Sequence, residues 1–516
     1  MIRSFLTVSL GTLASRLLGF VRDAMIAGLL GTGPVADAFL AAFQLVNVVR
    51  RLLTEGALNA ALVPAWLKLR ETEGADAAAR FAGRVLGTVS VALAAVTLLM
   101  SVAMPLVMAA LAPGFVGRET LTLAIDDARL MLPYLAFAGP ATVLLALASA
   151  QGRFVLTAFS PLLFNIALIA VMIALVVARY DAATSALALA ATVGIAGLLQ
   201  LCILVLRRDG KATARMRVAF DAPMRGFFSR AFPAMVASAG PQMLALAGAV
   251  IASSSPSAVS WLYFANRLVE LPLGIVGVAM GTVQVAELSR AVRSGDHSAV
   301  AEAESRGLEL ATGLALPATL GLVALSDPIV RLLFEHGAFT SADSAATARV
   351  LTVLALALPA HVLVKALSPA FFAREDTRAP LFATMKGLVV AIVTALLFGH
   401  LFGASGVAAG IACGAWSNAA SLVRWGTATF GFSIDAAARR RLPRIVAAAL
   451  AMGSLLWLAQ NVAPVFGHGL VQAAVLAAQI AAALIVYGLL LGLLRVTTWP
   501  DVIRAVRQTR SRDLRA

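Results

Sequence analysis

Apolar residues run along this chain in stretches long enough to cross a bilayer, separated by short polar connections. About 20 residues of helix, each rising about 1.5 Å, cross a hydrocarbon core about 30 Å thick. Runs of that order read as Phe5–Gly31, Val35–Pro64, Phe81–Leu111, Leu121–Ala150, Phe159–Ala178, Thr184–Leu206, Phe227–Ser253, Ala258–Leu288, Leu308–Leu333, Ala345–Leu367, Pro380–His400, Ser405–Arg424, Leu442–Val462 and Leu470–Leu494. The pattern predicts an all-α polytopic membrane protein of about fourteen transmembrane helices. The first run is too long for a cleaved signal peptide and is interrupted by Arg16.

The interruptions carry the chemistry. Arg16, Arg22, Asp23, Asp37, Arg50, Arg51 and Glu55 all fall in the first two runs, where a lipid-facing helix carries no charge. Each charge at bilayer depth costs about 2.5 to 3.5 kcal/mol on the most lenient scale, so such residues face a protein interior or a wet cavity. If the first helix enters the core near Phe5, Arg16 sits about 16 Å in and Arg22 about 9 Å further. Seven residues separate Arg16 from Asp23, which predicts that those two share a helix face while Arg22 projects elsewhere. Farther along, Arg267 and Glu270 lie three apart, on neighbouring positions of one face, where an ion pair lowers the cost of burial.

Composition agrees with a membrane chain: 60% of residues are hydrophobic, 13% are charged, and the mean hydropathy is +0.91. The net charge of +15 is distributed by topology. Alternate connections are basic, holding Lys68, Arg70, Arg80 and Arg84, then Arg153, Arg207 to Arg230, Arg290 to Arg306, Arg374 and Arg378, Arg439 to Arg444, and the tail from Arg495. The intervening connections are nearly bare, so both termini are expected in the cytoplasm. The basic excess therefore points to anionic headgroups and not to nucleic acid. Cys202 and Cys413 fall inside apolar runs without metal-ligand spacing and read as small core residues; no metal site or cofactor is expected. Trp66 and Trp499 suit an interface belt.

An internal repeat is visible. Pro140, Val143, Leu144, Ser149, Pro161 and Leu162 fall on Pro359, Val362, Leu363, Ser368, Pro380 and Leu381 without a gap. Two parallel copies of six spans each are expected, with lobes at residues 1–215 and 216–430 and two extra helices with a basic tail at 431–516. Four guanidiniums, those of Arg16, Arg22, Arg50 and Arg267, make a site for an anion bearing several oxygens, because the planar fork stays charged at any depth and matches phosphate. Asp37 and Glu270 would hold them in an empty site. The alternative is that these charges are internal salt bridges joining helices, although buried pairs are poor glue.

The runs SRLLGFVRDAMIA, ADAFLAAFQLVNVVRRLLTEGALNAALVP, WLYFANRLVELPLGIVGVAMGTV and SPAFFAREDTRAPLF resemble those of the MurJ (MviN) flippases, over nearly the whole chain. The resemblance implies the multidrug/oligosaccharidyl-lipid/polysaccharide exporter fold: two six-helix lobes in a V around a cationic cavity, with the last two helices forming a groove for a lipid tail. It implies translocation of lipid II, the undecaprenyl-diphosphate-linked peptidoglycan precursor, across the bacterial inner membrane by alternating access. It places the functional arginines on Arg16, Arg22, Arg50 and Arg267 and acidic partners on Asp37 and Glu270. Asp23, Glu55, Arg51, Asn47 and Asn266 accompany them as expected neighbours, and membrane lipids and the cell-wall synthesis machinery are the expected partners. Two positions depart from the family pattern: Asn266 stands where relatives often carry Asp, and Ala286 where a proline is expected. Some relatives bind sodium through an acid on the seventh helix; residues 232–253 hold none, so no such site is expected.

Two other readings compete. An exporter of another polyprenyl-linked oligosaccharide or of a drug on the same fold predicts fewer cavity arginines and acids that titrate. A polyprenyl-linked glycan polymerase needs a carboxylate or metal site on an outer loop, where only Glu119, Glu335 and Asp343 are scattered, so an enzyme is not expected.

Overall fold

In an apolar medium a backbone must satisfy its own N–H and C=O groups, so the Ala-, Leu- and Val-rich runs fold as helix. The structure, a computed structural model, describes residues 2–52, 58–207, 213–221, 224–229, 240–294, 296–374, 376–462 and 469–496, and no strand occurs among them. Nine helices among the described residues are long and apolar enough to cross a membrane. The chain divides into two compact units, Met1–Ser260 with His336–Phe339, and Trp261–Glu335 with Thr340–Ala516.

The first unit contains α1 (Ile2–Leu30), α2 (Pro34–Leu52), α3 (Leu58–Thr72), α4 (Ala75–Leu111), α5 (Glu119–Met131), α6 (Pro133–Ala150), α7 (Phe154–Ala178), α8 (Ala182–Leu206), α9 (Gly240–Ala252) and the first turn of α10 (Ala258–Ser294). Helix α1 ends at Gly31, whose φ of 64° suits a residue without Cβ, and Pro34 opens α2. The second apolar run is thus two helices, α2 and α3. The fourth is also two, because Pro133 at the first position of α6 has no N–H to continue α5. Helix α1 packs along α7, α2 against α5, and α6 against α4 and α8. Ile26, Phe39, Leu40 and Phe43 are fully buried where α1 and α2 turn inward. Trp66, expected at the interface, is instead buried beside Leu62, Phe81 and Phe227, because α3 lays this ring against α4 and α6. Between α7 and α8 the exposed Asp181 caps α8, and its bonds from the Thr184 hydroxyl and amide hold its carboxyl below the usual range.

The second unit holds the rest of α10, then α11 (His297–Ala324), α12 (Ser326–Phe334), α13 (Ser341–Ala355), α14 (Leu358–Phe372), α15 (Arg378–Phe402), α16 (Ala404–Phe430), α17 (Ala436–Val462) and α18 (Leu470–Leu493). The order repeats that of the first unit: two short helices, α13 and α14, precede a long pair, α15 and α16, as α5 and α6 precede α7 and α8. The prolines do not keep register, since Pro140 and Pro161 lie in the third turns of their helices and Pro359 and Pro380 in the first. Helices α15 and α16 approach closely through Gly406, Gly410 and Gly414. A Cβ on Gly410 would stand 2.5 Å from Ala395, and one on Gly414 2.6 Å from the Gly387 carbonyl oxygen. This is the small-residue packing that lets helices associate in lipid, where no hydrophobic force drives them together. Helix α17 packs on α11, with Gly453 against Leu320, and the Tyr487 hydroxyl of α18 donates to the Gly313 carbonyl at 2.9 Å. Cys202 and Cys413, expected in the core, are exposed on α8 and α16, where a small thiol suits a lipid-facing surface as well as a packed one.

Candidate functional site

In the first unit α1, α2 and α7 bring a charged and aromatic cluster together. Arg22 is 6% exposed and Asp23 not at all. The Arg22 guanidinium donates from Nε (3.0 Å) and Nη2 (2.7 Å) to Asp23 Oδ1, and from Nη1 to Asn165 Oδ1 (3.0 Å). Asn165 in turn donates to the Ser15 carbonyl of α1 (3.1 Å), so one amide of α7 spans two turns of α1. The guanidinium carbon of Arg22 lies 5.0 Å from the ring centroid of Phe43 and 5.7 Å from that of Phe164. Arg50 reaches the other side of the cluster, 5.8 Å from the Phe164 centroid. Its Nε and Nη2 donate to Asn47 Oδ1 at 3.3 and 3.2 Å, with Tyr134 as a further neighbour. Two guanidiniums on a shared aromatic ring gain from its negative face when water is excluded. Arg51 donates to Gln242 of α9 at 3.5 Å.

The face that Arg16 and Asp23 were expected to share does not make them partners. Asp23 is bound by its sequence neighbour Arg22, not by Arg16, whose side chain is exposed and has no partner among the described residues. Adjacent residues on a helix point about 100° apart, but the long Arg22 arm curls back to the carboxylate and places both groups inside. Asp37 takes another role. It is buried, and its Oδ1 accepts from the Ser260 amide (2.9 Å) and hydroxyl (2.5 Å) in the first turn of α10. A carboxylate there satisfies an amide that the helix leaves unpaired and meets the positive end of its dipole. Glu55 lies outside the described residues.

The second unit carries its own charged group. Arg267 Nη1 donates to Glu270 Oε2 at 3.1 Å, and Asn266 Nδ2 to Glu270 Oε1 at 3.3 Å, all on one face of α10. The two charged side chains are 20% and 27% exposed, so neither is fully buried. The side chain of Ala286 lies outside the described residues. Among those residues no group of three or more His, Cys, Asp or Glu side chains converges to hold a metal ion.

Sequence reasoning missed Phe43, Phe164, Asn165 and Ser260. Asn165 carried a signal, being a lone amide in the apolar run Phe159–Ala178; the others are ordinary residues of a membrane helix.

The chain matches the family profile described as "Lipid II flippase MurJ" over residues 26–492. The probable lipid II flippase MurJ of Rhizobium meliloti (strain 1021) is 37% identical over 470 residues, covering 89% of this chain and 86% of the relative. Among solved structures, "Lipid II flippase MurJ, inward closed conformation" superposes with a TM-score of 0.78 at 21% identity, covering 96% of this chain and all of that one. An inward-facing multidrug resistance MATE family transporter of the MOP superfamily superposes with a TM-score of 0.66 at 14% identity over 86% of this chain and 98% of its own. A profile spanning nearly the whole chain, and a relative this similar over most of both lengths, make this chain a member of the MurJ lipid II flippase family.

Proposed function

We propose that the protein carries lipid II from the cytoplasmic to the outer leaflet of the bacterial inner membrane by alternating access, without covalent chemistry, both termini lying in the cytoplasm. The carrying observation is the buried Arg22–Asp23 pair beside half-buried Arg50 on one aromatic ring, in a chain of this family. Guanidiniums already desolvated and held by Asn47, Asp23 and Asn165 need little reorganisation to meet a diphosphate, which matches their forked donors. Arg267, braced by Glu270 and Asn266, offers the same chemistry from α10, and exposed Arg16 adds a fourth charge. Asp37 serves by fixing the start of α10. The polyprenyl chain stays in lipid while the headgroup crosses. A headgroup with two net negative charges gains about 4 to 5 kcal/mol from a full crossing at 100 mV, interior negative, so the potential favours export. On this reading the protein works beside the cell-wall synthesis machinery, which consumes the exported precursor.

The test is replacement. In cells depleted of their own flippase, expression of this chain restores access of an outer-leaflet probe to lipid II. Membranes that hold the protein at normal levels yet keep all precursor inside contradict the reading.

A further inference from the structure

Transport leaves a basic strap of the first unit without a role. Residues 213–221 run extended along the first turns of α4. The Ala214 amide donates to the Ala79 carbonyl (3.0 Å) and the Arg217 amide to the Gly83 carbonyl (3.3 Å). The Ala219 amide donates to the Thr88 hydroxyl (3.2 Å), which donates back to the Ala219 carbonyl (3.3 Å). Arg84 anchors the end on the Asp221 carboxylate. The seat is built for this strap: a Cβ on Gly83 would lie 2.7 Å from the Arg215 carbonyl oxygen, and one on Gly87 2.7 Å from the backbone of Arg217. Ala219 is partly buried and packs against the hydrophobic cluster that includes Val85, Met224 and Phe227.

Its outward surface mixes apolar and basic side chains, with residues 215–218 exposed in a row. Met216 is 55% exposed, Val218 44% and Phe220 74%. Exposed Arg215 and Arg217 are interleaved with them, and neither has a side-chain partner among the described residues. Helix α4 shows the depth of this surface. Its exposed apolar stripe begins at Val91 and continues through Leu98, Leu99 and Val102 to Leu106. Thr88 lies one turn before that stripe, about 5 Å below its start, and Gly83 about 7 Å further out. Taking Val91 as the start of the hydrocarbon, which leaves about 20 residues of α4 to cross it, Phe220, next to the residue bonded to Thr88, falls about 5 Å outside it at headgroup level, with Arg217 farther out.

We propose that this strap is a membrane-surface element that binds the anionic lipid headgroups of the leaflet on its side, with Phe220 and Val218 immersed at the boundary and Arg215 and Arg217 on phosphates. Depth and charge together select lipid as the occupant: aromatic and aliphatic groups belong at that level, and unpartnered arginines meet a negative surface there. The inference does not depend on which molecule the protein transports.

The test uses the full-length protein with Cys202→Ser and Cys413→Ser and a nitroxide on Phe220→Cys, in vesicles of phosphatidylcholine with or without phosphatidylglycerol. Collision with oxygen is expected to dominate over collision with a water-soluble nickel chelate, and the label is expected to move deeper when phosphatidylglycerol is present. Arg215→Glu with Arg217→Glu is expected to abolish that response, and Arg215→Ala with Arg217→Ala to reduce it; the Ala pair carries the test if the Glu pair does not fold. A control label on Tyr180→Cys, in the connection before α8, is expected to ignore lipid charge. A Phe220 label as open to the nickel chelate as the Tyr180 label in both lipids overturns the proposal and assigns the strap to water or a soluble partner. Equal depth in both lipids, unchanged by the arginine variants, overturns the anionic part.

Discussion

Asp23 is the most demanding residue of the site, because it is a carboxylate with no exposure whose charge is met by its own neighbour. Breaking a buried pair costs about 3 to 5 kcal/mol, since it leaves the other charge uncompensated. Asp23→Ala is therefore expected to lower the thermal unfolding midpoint in detergent strongly, and Asp23→Ala with Arg22→Met to recover much of the loss. A midpoint unchanged by Asp23→Ala contradicts the burial. Asp37→Ala removes a cap, at about 1 kcal/mol, and the loss should not add to the smaller one of Ser260→Ala, which deletes only the hydroxyl bond, one of the two that Asp37→Ala already removes. Legibility at this scale follows sequence distance. Arg267 and Glu270 could be paired from spacing, since positions three apart on a helix are neighbours. Arg22 with Asp23 could not, because adjacent helix positions diverge, and Asp37 with Ser260 could not, because the fold alone joins residues 223 apart.

Among the elements, the apolar runs were legible as helices, but their interruptions were only partly so. Pro133 announces the break between α5 and α6, and Pro359 sits at the second position of α14, where a helix begins easily. The close approach of α15 and α16 was legible in principle from Gly406, Gly410 and Gly414, spaced by four, yet apolar periodicity ignores it because glycine adds no hydrophobic signal. That contact gives an element-scale prediction. Gly410→Leu places a side chain where a single Cβ would already stand 2.5 Å from Ala395. It is expected to separate the pair and abolish a cooperative thermal transition, whereas Gly488→Ala, with nothing near its Cβ, is expected to leave the transition in place. Equal transitions for both variants contradict the packing.

For the whole molecule, the sequence implied two copies of one helical plan, and the two units repeat the order of short pair and long pair. What it could not supply was the set of contacts inside each unit, since those depend on residues of no special type, such as Phe43 and Phe164. A prediction at this scale concerns orientation. Reporters fused after the tail at Ala516 and in the connection near Tyr180 are expected on opposite sides of the membrane, with the tail in the cytoplasm; the same side for both contradicts the charge-based topology.

The central proposal is that permanently charged guanidiniums receive the diphosphate of the precursor. Its most direct test replaces Arg16, Arg22, Arg50 and Arg267 one at a time by Ala and by Lys, then measures lipid II translocation in depleted cells at matched protein levels. The account predicts loss with Ala, deepest at Arg50 and Arg267, and partial return with Lys, which restores the charge but not the fork. Full translocation by all four Ala variants would contradict it.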